Sequence, residues 1–180
     1  MSETSGKAGR TSRKILPFSR LKPELASLRE QGKTVVFTNG CFQLLHLGHL
    51  RTLQRARKLG DVLVVGLNSD SSARRLKGPR HPLLPQADRA AVLAALRAVD
   101  YAVVFEETTA EALVRALQPE VYVKGGDYAQ GKDLPEADDV AQYGGRVEIL
   151  PLVPGRSTTG LIETILERYE SKSANQQISK

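Results

Sequence analysis

Across 180 residues there is a single cysteine, Cys41, so an intramolecular disulfide and a cysteine-based zinc site are both excluded. No apolar run approaches the ~20 residues needed to cross a bilayer. The N-terminus has no apolar core of the secretory kind, and a Ser/Arg-rich transit peptide would be a weak one. There is no GxGxxG string, no internal repeat and no low-complexity linker. These absences point to a soluble, cytoplasmic, single-domain protein in a reducing compartment, with 41% hydrophobic residues to build its core.

The body of the chain also lacks net charge. The formal charge is +6, yet residues 1–20 hold Lys7, Arg10, Arg13, Lys14 and Arg20 against Glu3, and residues 171–180 add Lys172 and Lys180. Without those two segments, 19 bases face 19 acids. The composition divides the chain into a disordered basic tail (1–19), one domain (20–170) and a disordered C-terminal tail (171–180). Solvated termini explain the charge more simply than nucleic-acid binding, so neither nucleic acid nor membrane is an expected partner.

What is present is organised around residues 34–59, TVVFTNGCFQLLHLGHLRTLQRARKL. The run Thr34, Val35, Val36, Phe37 has no polar alternation, the pattern of a strand buried on both faces of a parallel sheet. It stops at Asn39-Gly40. After a loop, Leu50, Leu53, Ala56 and Leu59 recur at helical spacing among Arg51, Arg55, Arg57 and Lys58. Strand, glycine loop and helix start bring unpaired N–H groups and the positive helix end to the carboxyl edge of a strand, where a phosphate is stabilised. A helix beginning near Leu47 sets His46 and His49 on one side of its first turn, facing the same anion. The blander reading makes both histidines satisfied loop residues. Cys41, beside them, reads as a small buried residue before it reads as a nucleophile.

Along the rest of the chain, residues 20–31 form a helix with Pro23 in its first turn. Residues 62–67 form a second buried strand, ending in Asn68-Ser69-Asp70. Asn68 and Asp70 suit a ribose or a nucleotide-bound metal; equally, Ser69 or Asp70 caps the next helix. Arg74, Arg75 and Lys77 before Gly78-Pro79-Arg80 make a basic clamp or a solvated surface, with Lys77 favoured for chemistry. A helix over 85–99 opens at Asp88-Arg89, with Arg89 able to reach a phosphate. A third strand at 101–105, a capped helix over 108–117 and a fourth strand at 121–123 lead to Lys124-Gly125-Gly126-Asp127, a ligand edge. A helix near 135–143 and a fifth strand at 146–150 follow. The last helix, with Leu161, Ile162, Ile165 and Leu166 on its buried side, opens at Ser157-Thr158-Thr159, an N-cap that doubles as a phosphate cradle. Alternating strands and helices predict an α/β fold: one Rossmann-like, doubly wound parallel sheet of about five strands with helices on both faces.

The string NGCFQLLHLGH resembles the HxGH signature of the nucleotidyltransferase superfamily. Together, TNGCFQLLHLGH, NSDSSARRLKG, the Asp88-Arg89 helix start, VKGGDY and RSTTG resemble the bacterial heptose-1-phosphate nucleotidyltransferases over residues 33–167. That resemblance implies joining ATP to D-glycero-β-D-manno-heptose 1-phosphate, giving ADP-heptose and pyrophosphate for lipopolysaccharide or related glycans. It implies nucleotide-bound Mg²⁺ and leaves a homodimer open. The family domain is often fused to a sugar kinase, which this sequence does not contain.

Carried onto this sequence, the resemblance implies that His46, His49 and Lys77 are catalytic. It implies nucleotide contacts from Thr38, Asn39, Gly40, Cys41, Phe42, Gly48, His49, Asn68, Asp70, Arg89, Lys124, Gly125, Asp127, Ser157, Thr158 and Thr159. The related glycerol-3-phosphate cytidylyltransferases carry an arginine in an RTxGISTT-like final motif where Leu152 stands here. Gln43 occupies a position that is usually acidic in the preferred family, which bears on any metal or loop-orienting role there.

Overall fold

A computed structural model describes residues 11–126 and 134–177. Five strands, β1 (Val35–Gly40), β2 (Val62–Asn68), β3 (Tyr101–Phe105), β4 (Val121–Gly125) and β5 (Arg146–Leu150), form one sheet in the order β3-β2-β1-β4-β5. Every pairing is parallel. Among the described residues seven α-helices complete it: α1 (Phe18–Glu30), α2 (Leu47–Arg57), α3 (Asp70–Lys77), α4 (Gln86–Ala95), α5 (Glu111–Leu117), α6 (Ala137–Gln142) and α7 (Thr158–Gln177). No helix among the described residues is long and apolar enough to cross a membrane.

The strand period of two separates two cores. Val35, Phe37, Val62, Val64 and Tyr122 face one layer with Leu21 and Leu25 of α1 and Leu113, Val114 and Leu117 of α5. Val36, Leu63, Val65, Leu67, Val121 and Val123 face the other, with Leu53 and Ala56 of α2 and Ala90 and Leu93 of α4. Leu21 and Leu25 are fully buried, and burial of each such side chain contributes about 1.5–3 kcal/mol.

The chain leaves β1 toward β2 and β3, then crosses back to β4 and β5. The winding direction therefore reverses between β1 and β4, and an open α/β sheet binds its ligands in the crevice at such a point.

Several boundaries differ from the sequence expectation. Helix α1 starts at Phe18 because Pro17 takes its N-cap in an extended conformation, its carbonyl accepting from Arg20 and Leu21. Pro23 consequently lies inside the helix rather than in its first turn. Composition placed residues 11–19 in a tail. There, Ser12–Lys14 form a short 3₁₀ turn, Ile15 bridges to Ala102 beside β3, and Lys14 Nζ donates to the carbonyls of Leu96 (3.2 Å) and Val99 (2.6 Å). Helix α5 begins at Glu111, with Ala110 as an N-cap that supplies no side-chain bond. The apolar side of α7 is largely uncovered: Ile162 is half-buried, but Leu161, Ile165 and Leu166 are exposed, because the helix follows the last strand and has no further strand to cover.

Candidate active site

A cavity of about 360 Å³ opens at the carboxyl ends of β1 and β4, within the range of small-ligand sites. Residues 38–43 line it from β1 and its loop, and His46, Gly48, His49, Thr52 and Leu53 from α2. Lys77, Gly125 and a final wall of Leu152, Val153, Arg156, Ser157, Thr158 and Thr159 complete it.

Helix α2 begins at Leu47, as expected, and His46 and His49 lie together at its start. His46 is the N-cap in an extended conformation, and its Nδ1 accepts the Gly48 N–H at 3.1 Å. With Nδ1 accepting, the proton of the neutral ring is on Nε2. The His46 and His49 rings stack at 3.9 Å between centroids, and Phe42 lies against His49 at 5.2 Å. Phe42 reaches that place from a left-handed backbone (φ 43°), a conformation that costs a non-glycine residue roughly 1–2 kcal/mol. Gly48 is required by proximity: a Cβ there would lie 2.8 Å from His46 Cε1 and 3.0 Å from the Arg156 carbonyl.

Burial holds both imidazoles neutral. The His49 pKa is lowered to about 4, chiefly by desolvation, then by the charges of His46 and Lys77, against a hydrogen bond to the Leu44 backbone that raises it. His46 is lowered by desolvation. His49 Nδ1 is buried and makes no well-aligned hydrogen bond. Burial pushes the Cys41 thiol up despite the opposing charges of Lys77, Arg89 and Lys124, so the thiol stays protonated and is a poor nucleophile.

Of the basic clamp read from the sequence, only Lys77 lines the cavity. Arg74 and Arg80 are exposed, and Arg75 donates to the Glu106 carbonyl. At the far wall Ser157 Oγ accepts the Gly160 N–H at 3.0 Å, capping α7. Lys124, mostly buried, puts Nζ 3.2 Å from Asn39 Oδ1 and 3.2 Å from the Tyr122 hydroxyl, with Glu136 Oε1 at 3.9 Å. Desolvation lowers its pKa and Glu136 opposes this, so β4 braces the end of β1 just beneath the cavity.

Three sequence candidates form a structural knot instead of lining the cavity. Arg89, 2% exposed, turns inward from α4. Its Nε donates to the Leu84 carbonyl at 2.9 Å, its Nη1 to Cys41 (2.5 Å) and Asn68 (2.9 Å), and its Nη2 to Asp70 Oδ1 at 2.7 Å. Asn68 Nδ2 donates to Ser72 Oγ at 2.9 Å. The expectation that Arg89 reaches a phosphate is corrected: protein carbonyls and Asp70 occupy its guanidinium. Asn68 and Asp70 likewise have protein partners, and Ser69 caps α3 through the Ser72 N–H. Asp127 lies outside the described residues.

Thr52, Leu53, Val153 and Arg156 line the cavity without having been singled out in the sequence. Two signals were available: Thr52 follows His49 by three positions on one helix face, and Arg156 directly precedes the hydroxyl cluster. Among the described residues no carboxylate lines the cavity, and no group of three His, Cys, Asp or Glu side chains is gathered for a metal. Two neutral imidazoles, Lys77, Arg156 and a capped helix start are donors for an anion; they do not make a protein-held divalent cation site.

Comparison with known proteins agrees with this geometry. The family model described as cytidylyltransferase-like matches residues 37–154. The bifunctional protein HldE of Syntrophotalea carbinolica is 58% identical over 161 residues, 87% of this chain and 32% of the relative. HldE of Geobacter sulfurreducens is 51% identical over 89% of this chain and 33% of the relative. The chain thus spans about a third of the length of these curated relatives. The crystal structure of a lipopolysaccharide core biosynthesis protein from Thermoplasma volcanium superposes with a TM-score of 0.56. It is 32% identical and covers 68% of this chain and 98% of its own. With two thirds of its length under the family model and the histidine-bearing helix start inside it, the chain belongs to the cytidylyltransferase-like family of nucleotidyltransferases.

Proposed function

We propose that this chain transfers AMP from ATP to a heptose 1-phosphate, giving ADP-heptose and pyrophosphate. The observation that carries the reading is the stacked, neutral His46–His49 pair at the start of α2, facing a cavity whose charged walls among the described residues are Lys77 and Arg156. Such a wall favours a polyphosphate, and the hydrogen bonds of uncharged imidazoles strengthen as negative charge grows on the phosphoryl and leaving-group oxygens. The heptose choice rests on the strings from residues 33 to 167 and on relatives named HldE. Leu152 in the wall, in place of arginine, favours it over a glycerol-phosphate cytidylyltransferase.

In this mechanism an oxygen of the sugar 1-phosphate attacks the α-phosphorus in line. The new P–O bond forms as the bond to the β-phosphate oxygen breaks, and that electron pair leaves on pyrophosphate. The nucleophile is already an anion, so positioning and charge stabilisation carry the catalysis and no strong base is needed. His46 and His49 bind the α- and β-phosphates. Lys77 holds the triphosphate, and Ser157, Thr158 and Thr159 receive its outer phosphates at the start of α7. Asn39, Gly125 and the neighbouring Lys124 shape the nucleoside or sugar end. Mg²⁺, carried in on the nucleotide's own phosphate oxygens, supplies neutralisation of the triphosphate charge.

The test is pyrophosphate release with Mg²⁺, heptose 1-phosphate and each of ATP, CTP and GTP. Release with ATP alone is expected. Release only with CTP and glycerol 3-phosphate would keep the mechanism and replace the substrates. Nucleotide binding without turnover on any sugar phosphate would make the chain a binding module.

A further inference from the structure

The last turn of α3 carries Lys77 to the cavity, and little apolar packing holds that turn or the segment that leads on to α4. Arg74, Arg75, Leu76, Lys77, Pro79 and Arg80 are all exposed. Helix α3 stops at Gly78, whose φ of 97° turns the chain, and the His81 N–H closes the turn on the Gly78 carbonyl at 3.1 Å. A segment with exposed side chains opens at low cost unless polar tethers hold it. Arg75, which donates to the Glu106 carbonyl, grips it before the turn, and Arg89, through the Leu84 carbonyl, grips it beyond the turn. A third tether grips the turn itself: His81 Nδ1 lies 2.7 Å from Oε1 of Gln43, which is 4% exposed in the loop before His46. Gln43 and Lys77 line the same cavity.

We propose that Gln43 is a positioning residue, its hydrogen bond to His81 fixing the Gly78–His81 turn so that Lys77 enters the cavity beside His49. The inference rests on the triphosphate-binding role proposed for Lys77. The tether is indifferent to the charge of His81, because both the Nδ1–H tautomer and the imidazolium donate to an amide oxygen. It also joins the loop that carries the histidines to the segment that carries the lysine, so the two halves of the phosphate site keep one spacing. The bond acts on the population of the competent arrangement, and its loss appears as weaker nucleotide binding with the chemical step intact.

The experiment compares Gln43→Ala, His81→Ala, the double variant and His81→Asn, whose amide restores a donor near the Nδ1 position. In nucleotide-free protein, amide exchange over residues 77–81 should rise on the order of fivefold in each alanine variant, and no further in the double variant. The KM for ATP should rise by a similar factor with kcat within about twofold, and His81→Asn should recover both. Unchanged exchange, additive effects, a fall in kcat at constant KM, or no recovery in His81→Asn would each overturn the tether. If the unmodified protein releases no pyrophosphate with any pair of substrates, the proposed reaction fails. The exchange series and the affinity for ATP alone then still decide whether Gln43 positions Lys77.

Discussion

The rings of His46 and His49 stack at 3.9 Å, and a bond from the Gly48 N–H to His46 Nδ1 fixes the first ring as the cap of the helix that carries the second. The pair is one unit, so its members should not contribute independently. His49→Ala should lower kcat by on the order of a hundredfold, as for removal of one transition-state donor. His46→Ala should fall as far and also lose about 1 kcal/mol of capping. The double variant should be little worse than either, since contacting residues couple. Pyrophosphate release by variants with matched far-ultraviolet spectra measures this, and intact turnover in a folded His49→Ala protein would remove the histidines from the chemistry.

Because burial holds the His49 pKa at about 4, against about 6.5 in an unfolded chain, the folded state resists protonation that the unfolded state accepts. Between these values the unfolded state binds more protons, so stability rises with pH across that window and falls as acid is added. The melting temperature should therefore drop from pH 6.5 to 4, and His49→Gln should flatten the slope. Bound nucleotide should move the His49 titration, followed by its ring proton resonances, upward, because phosphate favours the cation.

The organising unit was legible because it is local. Val35, Val36 and Phe37 have a two-sided strand pattern, and the spacing of Leu50, Leu53, Ala56 and Leu59 marks the helix α2 that follows the loop. Arg89 was misread because its position at the start of α4 is visible in the sequence while its direction is not. The carbonyls that draw the guanidinium inward belong to Cys41, Asn68 and Leu84, on three other segments. The apolar stripe of α7 was read as buried for a similar reason: helical spacing reports an amphipathic face but not whether a strand remains for it to cover.

Arg89 is thus predicted to act on stability. Arg89→Met leaves the Cys41, Asn68 and Leu84 carbonyls and the Asp70 carboxylate without their donor, a loss of about 3 kcal/mol or more. For a chain of this size that is roughly 6–12 °C in Tm. Arg89→Lys should recover little of it, since one ammonium cannot reproduce a planar fork bonded to four oxygens. An Arg89→Lys protein with unchanged Tm and lost nucleotide affinity would return Arg89 to the phosphate site.

Lys77 separates affinity from folding, since its side chain is exposed and its charge acts on His49. Lys77→Ala should leave Tm within a degree or two and weaken ATP binding on the order of tenfold or more, as loss of a charge-assisted bond does. It should also let the His49 pKa rise, because one of the charges depressing it is gone. A titration of His49 that does not move in Lys77→Ala would mean the lysine sits farther from the imidazole pair than this geometry requires.

Gly48 sets helix propensity against site geometry. Alanine is favoured over glycine inside a helix by up to about 1 kcal/mol, so Gly48→Ala should cost the fold little. Its Cβ, however, would stand 2.8 Å from His46 Cε1, 2.9 Å from His46 Nδ1 and 3.0 Å from the Arg156 carbonyl. The ring and the segment leading to Ser157 cannot both stay, and a displaced His46 loses its bond to the residue 48 N–H and its stack on His49. Turnover should fall by at least about tenfold, as for misplacement of a transition-state donor, while Tm changes by only a few degrees. Equal losses of activity and stability would mean that Gly48 serves the fold, whereas full activity would mean that His46 can leave its place without consequence and the stacked pair is not the catalytic arrangement.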